Sequence, residues 1–178
     1  PLASSKSNYT STFTLVGEAH ELVGDSTWKT VSFNHTYPDI PVVFADITFN
    51  DTTQAQRRID KVTPRNFSIR VESYTSPYTH GNETIYWIAL RKGKWKIGGK
   101  LFVVGNASVN SVQWQDIPFN HTFSFHPLVI TDLQTVREID PAHTRHNDRD
   151  FDSIQSKAEE PGDASHTYEA VSYTHLTL

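Results

Sequence analysis

Seven of the nine asparagines begin an Asn-X-Ser/Thr tripeptide: Asn8, Asn34, Asn50, Asn66, Asn82, Asn106 and Asn120. That tripeptide is the acceptor for N-glycosylation, in which the side-chain amide nitrogen takes an oligosaccharide. Ser and Thr make up 36 of 178 residues, so chance pairing gives roughly two such tripeptides among nine asparagines. The excess implies a secretory route and an extracellular or cell-surface location. Each acceptor is then expected on a loop or a solvent-facing strand position, because a glycan is bulky and hydrated.

Other groupings resemble chemical sites and read better as surface. Asp148, Asp150, Asp152 and Glu159 carry the carboxylate spacing of a calcium loop, but Ser153 stands where that loop needs glycine. His143 and His146 could share a metal, yet no third ligand is evident. With no cysteine there is no disulfide, thiolate nucleophile or thiolate metal site. A glycine-rich phosphate loop, a Gly-X-Ser-X-Gly elbow and a His-Glu-X-X-His motif are also absent from the sequence. The expectation is no enzyme, no metal and no cofactor beyond covalent N-glycans.

Acceptors spread so evenly need a framework to carry them. The composition, 37% hydrophobic and 20% charged, is that of a globular chain. A net charge of −4 gives no basic surface for nucleic acid. No apolar run approaches the roughly 20 residues that cross a bilayer as a helix.

The framework repeats. Trp28-Lys-Thr-Val-Ser-Phe33-Asn-His-Thr36 returns as Trp114-Gln-Asp-Ile-Pro-Phe119-Asn-His-Thr122, an offset of 86. Eight of twenty positions from residue 28 are identical, and five more exchange apolar residues, as in Val31/Ile117 and Tyr37/Phe123. His80-X-X-Glu83-X-Ile85-X-Trp87 recurs as His166-X-X-Glu169-X-Val171-X-Tyr173. Val16-Gly17-X-Ala19 is matched to Val104-Gly105-X-Ala107, Arg58 to Arg145 and Phe67 to Phe151, with small gaps. The division is an extension over residues 1–13 and two units over 14–94 and 95–178.

Each unit reads as antiparallel β. Phe67, Ile69 and Val71 alternate with Ser68, Arg70 and Glu72, the period of a half-buried strand. The near-continuous apolar run Pro41–Ile47 is that of a strand buried on both faces. Turn residues punctuate the chain at the spacing of a sandwich, and helix start and stop signals are scarce. The segment from Arg91 to Lys100, with five positive charges, reads as a solvated turn between units. Residues 150–158, the expected counterpart of Phe67–Val71, break the alternation, which points to a bulge or drift.

The order of these blocks, from Val-Gly through Trp-X-X-Val-X-Phe and Pro-Val-Val to Glu-X-Ile-X-Trp-Ile-Ala, resembles the H-type lectin domain found at the C-terminus of discoidin-like lectins. Trp28, Phe33, Pro41 and Trp87 carry the resemblance. It implies two tandem six-stranded antiparallel β-sandwiches, and a family that forms trimers and binds N-acetylgalactosamine-like sugars. The sugar contacts it suggests are Arg58, His80 and Trp87 in the first unit, and Arg145, His166 and Tyr173 in the second. His80/His166 and Glu83/Glu169 read better as a polar network ordering a loop, and a glycan on Asn82 would obstruct a pocket there.

Two functions follow. One is a glycosylated structural or adhesive subunit that self-associates into a fibre, filament or surface assembly, with residues 1–13 as a linker or a strand lent to a neighbour. The other is a carbohydrate-binding lectin for GalNAc/galactose-type sugars that gains avidity from repeated sites. Sequons near the presumed sugar pocket favour the first.

Overall fold

The computed structural model describes residues 16–48, 53–74, 79–137, 141–159 and the backbone of 169–176. The extension 1–13, the sequons Asn8 and Asn50, and His166 lie outside the described residues. The architecture is all-β: among the described residues there are antiparallel strands and no helix.

In the first half, β1 (Gly17–Gly24), β6 (Glu83–Leu90) and β3 (Val42–Thr48) form one sheet in the order β1-β6-β3. A second sheet, β2-β5-β4, uses β2 (Lys29–Ser32), β5 (Asn66–Ser73) and β4 (Ala55–Asp60). Alternation decides which side chains meet between them. Phe67, Ile69 and Val71 point inward from β5, Ile85, Trp87 and Ala89 from β6, and all join one apolar cluster with Val43 and Ala45. Phe33 and Tyr37, in the chain after β2, close its end; Phe33 lies 5.5 Å from Phe67 and 5.9 Å from Trp87.

The same orders recur in the second half. β8 (Lys100–Val109), β13 (Glu169–Leu176) and β10 (Leu128–Leu133) lie in the order β10-β13-β8, and β11 (His143–Arg149), β12 (Ser153–Glu159) and β9 (Gln115–Pro118) in the order β11-β12-β9. The turn hydrogen bonds recur too. Phe33 N–H donates to Arg65 C=O and Tyr37 N–H to Pro64 C=O, as Phe119 N–H donates to Asp152 C=O and Phe123 N–H to Phe151 C=O.

These bonds correct two alignments. Phe151 stands where Pro64 does, and is 39% exposed in the bend before β12. The counterpart of Phe67 is Ile154: it pairs with Ile117 as Phe67 pairs with Val31, and it is buried. Ile154, Ser156 and Ala158 keep the alternation, hidden in the sequence because a serine takes a core position and donates its hydroxyl to Arg145 C=O. With Ile154 in place of Phe151 no gap is needed, since Arg58 to Arg145 and Phe67 to Ile154 share an offset of 87. Likewise Gly17 pairs with Leu90 as Phe102 pairs with Leu176, so Gly17 corresponds to Phe102 and not to Gly105.

The charged segment after Arg91 is not simply a turn. β7 (Gly93–Ile97) adds a strand beside β8, and only Gly98 and Gly99, with φ of 57° and 80°, make the hairpin bend. The expected boundary after residue 94 falls inside this strand.

β3 is buried on both faces over residues 42–45, and the second half supplies the outer cover. Val42, Phe44 and Leu90 cluster with Val104, with Trp95 and Phe102 packed alongside. Each large apolar side chain removed from water this way contributes roughly 1.5–3 kcal/mol.

Candidate functional site

Beside that apolar contact the outer face of β1-β6-β3 stays open as a groove of about 730 Å³. Strand parity builds its floor. Tyr86 and Ile88 alternate with inward Ile85, Trp87 and Ala89, so they face outward at 48% and 37% exposure. Register places Tyr86 between Glu21 and Asp46, and Ile88 between Ala19 and Phe44. Ile130 of β10 and Arg57 of β4 complete the lining.

One wall is ionic. Arg57 Nε lies 3.3 Å from Asp132 Oδ2, and the same oxygen accepts Ala45 N–H at 3.0 Å. Burial raises the Asp132 carboxyl above its ordinary value, opposed by Arg57 and by the backbone N–H groups of Ala45 and Leu133. The Asp132 charge in turn holds the Arg57 guanidinium more firmly protonated. This pair faces the junction between the halves. The groove therefore offers an aromatic ring, aliphatic surface and carboxylates, a combination that packs against sugar C–H faces and accepts hydrogen bonds from hydroxyls.

The side chains of the residues expected to contact sugar are buried in the first half, although Trp87 borders the groove. Trp87 is core because it sits on the inner parity of β6. Arg58 is fully buried in an ionic network: its Nε lies 3.4 Å from Glu72 Oε1, while Arg70 reaches Glu72 Oε2 at 2.6 Å. His80 is interior too, with Nε2 3.2 Å from Thr53 C=O, Nδ1 3.6 Å from Glu83 Oε1, and its backbone bonded to the Ser26 hydroxyl. In the first half this fits the polar network expected of His80 and Glu83; His166 and the Glu169 side chain lie outside the described residues. In the second half Arg145 is exposed and bonds Glu159 at 2.6 Å. Of Tyr173 only the backbone is described, paired with Gly105 and Thr131.

The acceptor asparagines are distributed differently. Asn34, Asn82, Asn106 and Asn120 are exposed and Asn66 is half-buried. Asn34 and Asn120 lie in the bends after β2 and β9; Asn120 takes a φ of 54°, a left-handed turn conformation that asparagine tolerates. Asn106 lies within β8, opposite Ser172.

His143 and His146 do not converge on a metal. His146 Nε2 bonds Thr131 Oγ1 at 2.8 Å, while His143 lies 3.6 Å from Glu159. Among the described residues no three His, Cys, Asp or Glu side chains group as metal ligands. Asp150 turns its carboxylate onto Phe151 N–H at 2.7 Å, capping the β11–β12 bend.

No known family model, curated protein or solved structure matches the chain.

Sequence reasoning missed Arg57, Tyr86, Asp132 and Gln134, the last of which bonds the Val43 backbone through its side-chain amide. Tyr86 was legible as the outward neighbour of Trp87 in an alternating strand. The other three act across the junction of the halves, where a period-2 pattern carries no information.

Proposed function

We propose that this chain is a secreted, N-glycosylated structural or adhesive subunit of an extracellular fibre or surface assembly, built from two tandem lectin-like β-sandwiches. The observation that carries this reading is the placement of the sequons. Four of the five described acceptor asparagines, Asn34, Asn82, Asn106 and Asn120, are exposed and fall on both halves, Asn66 is half-buried, and Arg58, His80 and Trp87 are interior. The interlocked halves add support, since a junction made of apolar packing and ionic bonds suits a segment that transmits load. Electron microscopy of the native material tests it. Regular filaments or a surface lattice with glycan density at these asparagines are the expected result; monomers without glycans overturn it.

A second reading is a carbohydrate-binding lectin for GalNAc/galactose-type sugars, which rests on the H-type lectin resemblance and on the groove at Tyr86. A glycan array separates the two. No binding by the parent chain or by Asn82→Gln fits the structural reading, and binding that appears once the Asn82 glycan is gone fits the lectin.

A further inference from the structure

The groove has an internal control, because the second half repeats the sheet that forms it. Tyr86 pairs with Glu21 and Asp46 as Ser172 pairs with Asn106 and Asp132. Ile88 pairs with Ala19 and Phe44 as Thr174 pairs with Val104 and Ile130. Val23 pairs with Thr84 as Ser108 pairs with Ala170. Three positions that carry Val23, Tyr86 and Ile88 in the first half thus carry Ser108, Ser172 and Thr174 in the second. Val23, Tyr86 and Ile88 are 56%, 48% and 37% exposed, an apolar strip without a protein cover on the outer face.

A second difference falls at the same place. Asn82, exposed and immediately ahead of β6, begins the sequon Asn82-Glu83-Thr84, and Tyr168 occupies the matching position in the second half. The half with the sequon ahead of the central strand has the apolar strip; the second half is polar there and carries its sequon at Asn106, on the neighbouring strand opposite Ser172.

We propose that this groove seats the glycan attached to Asn82, with its inner N-acetylglucosamine residues lying back along β6 over Tyr86 and Ile88. The inference rests on the reading that the chain is N-glycosylated. Four residues of strand separate Asn82 from Tyr86, about 13 Å, a span that an asparagine side chain and two pyranose rings cover. A pyranose ring presents C–H groups on its faces and hydroxyls at its rim. The faces pack on the Tyr86 ring and Ile88, and the rim donates to the carboxylates of Glu21 and Asp46. The glycan thereby takes the place of a packed protein layer.

The test uses the chain secreted from a eukaryotic host, with glycopeptide mass spectrometry to establish occupancy of Asn82. In the occupied protein one N-acetyl methyl resonance is expected upfield of the others, shifted by the Tyr86 ring, and lost in Tyr86→Ser. Release by peptide N-glycosidase from the native protein should quicken in Tyr86→Ser by about three- to tenfold, the value of one such stacking contact. Asn82→Gln should bind an apolar dye more strongly, and Asn82→Gln with Tyr86→Ser and Ile88→Thr should not. Full occupancy with resonances and release rate unchanged in Tyr86→Ser overturns this inference alone. An unmodified Asn82 overturns it together with the glycoprotein reading at that site.

Discussion

Gln134 presents its side-chain amide to the backbone of Val43, accepting the Val43 N–H at 2.8 Å through Oε1 and donating to the Val43 carbonyl through Nε2. Those are the two bonds an adjoining strand would make. β3 ends its sheet, and an edge strand with unpaired N–H and C=O groups is a template for unwanted pairing. Asp132 does the same for the next outward N–H, that of Ala45. The second half therefore closes the edge of the first with side chains, without extending its sheet.

Gln134→Leu keeps much of the volume and removes both bonds, leaving a donor and an acceptor stranded at a residue with no exposed surface. The expected loss is about 2–3 kcal/mol. Urea unfolding of the purified variant measures it, and a loss below about 0.5 kcal/mol shows the edge does not need this side chain.

The buried network at Glu72 gives a sharper contrast. Its carboxylate receives Gln56 Nε2 at 3.1 Å and sits beside Arg58 and Arg70. The side chains of Glu72 and Arg58 are each 1% exposed. Glu72→Gln removes the carboxylate charge that pairs with buried Arg58 and with Arg70, which should cost about 3–5 kcal/mol. Arg145 occupies the matching place in β11, pairing with Lys157 as Arg58 pairs with Arg70, but its side chain is 55% exposed. Arg145→Ala should change stability by less than about 0.5 kcal/mol. Equal losses in the two variants, by thermal or urea unfolding, would contradict this account.

Tyr37 sets an alkaline limit. Its ring is buried against Phe33 and its hydroxyl donates to Ala89 C=O at 3.1 Å. Burial, with the Glu18 charge adding to it, raises the phenol pKa well above its ordinary value. The folded state keeps its proton while the unfolded chain ionises at about pH 10. Stability from this group is therefore complete below pH 10 and falls as pH rises beyond it. Tyr37→Phe should lose about 1 kcal/mol at neutral pH. It should also flatten the decline between pH 10 and 11.5 in denaturant titrations, and a decline as steep as the parent's would show that other groups cause it.

How much of this was legible depends on whether a feature is local. The alternation of Phe67, Ile69 and Val71 marks β5 because each inward residue meets the same core. The run Pro41–Ile47 announces burial on both faces, but nothing in its period names Val104 and Phe102 as the outer cover, since that contact joins distant segments. Arg58 was legible as a repeated arginine and not as a buried one. β4 departs from alternation, with Ala55, Gln56, Arg58 and Ile59 all buried, and the two polar ones, Gln56 and Arg58, sit against the Glu72 carboxylate. Trp28 resembles a core residue by type, yet it is 41% exposed and lies under Arg70, as Trp114 lies under Lys157. Sequons are legible anywhere, since an enzyme reads three residues; the surface they modify is not.

The corrected register of the repeat carries the last prediction. If Ile154 is the counterpart of Phe67, its side chain belongs to the second core, where it joins Ile117, Phe119 and Leu133. Truncation to alanine then leaves a cavity bounded by both sheets, and Ile154→Ala should cost about 2–5 kcal/mol. Phe151, by contrast, stacks on His126 at 4.3 Å in an exposed bend. Phe151→Ala loses that contact and the partial burial of one ring, and should cost about 1–2 kcal/mol. Alignment by residue type orders the two costs the opposite way, so paired urea titrations of Ile154→Ala and Phe151→Ala decide between the registers. A larger loss at Phe151 would return that residue to the core strand and move β12 by three positions.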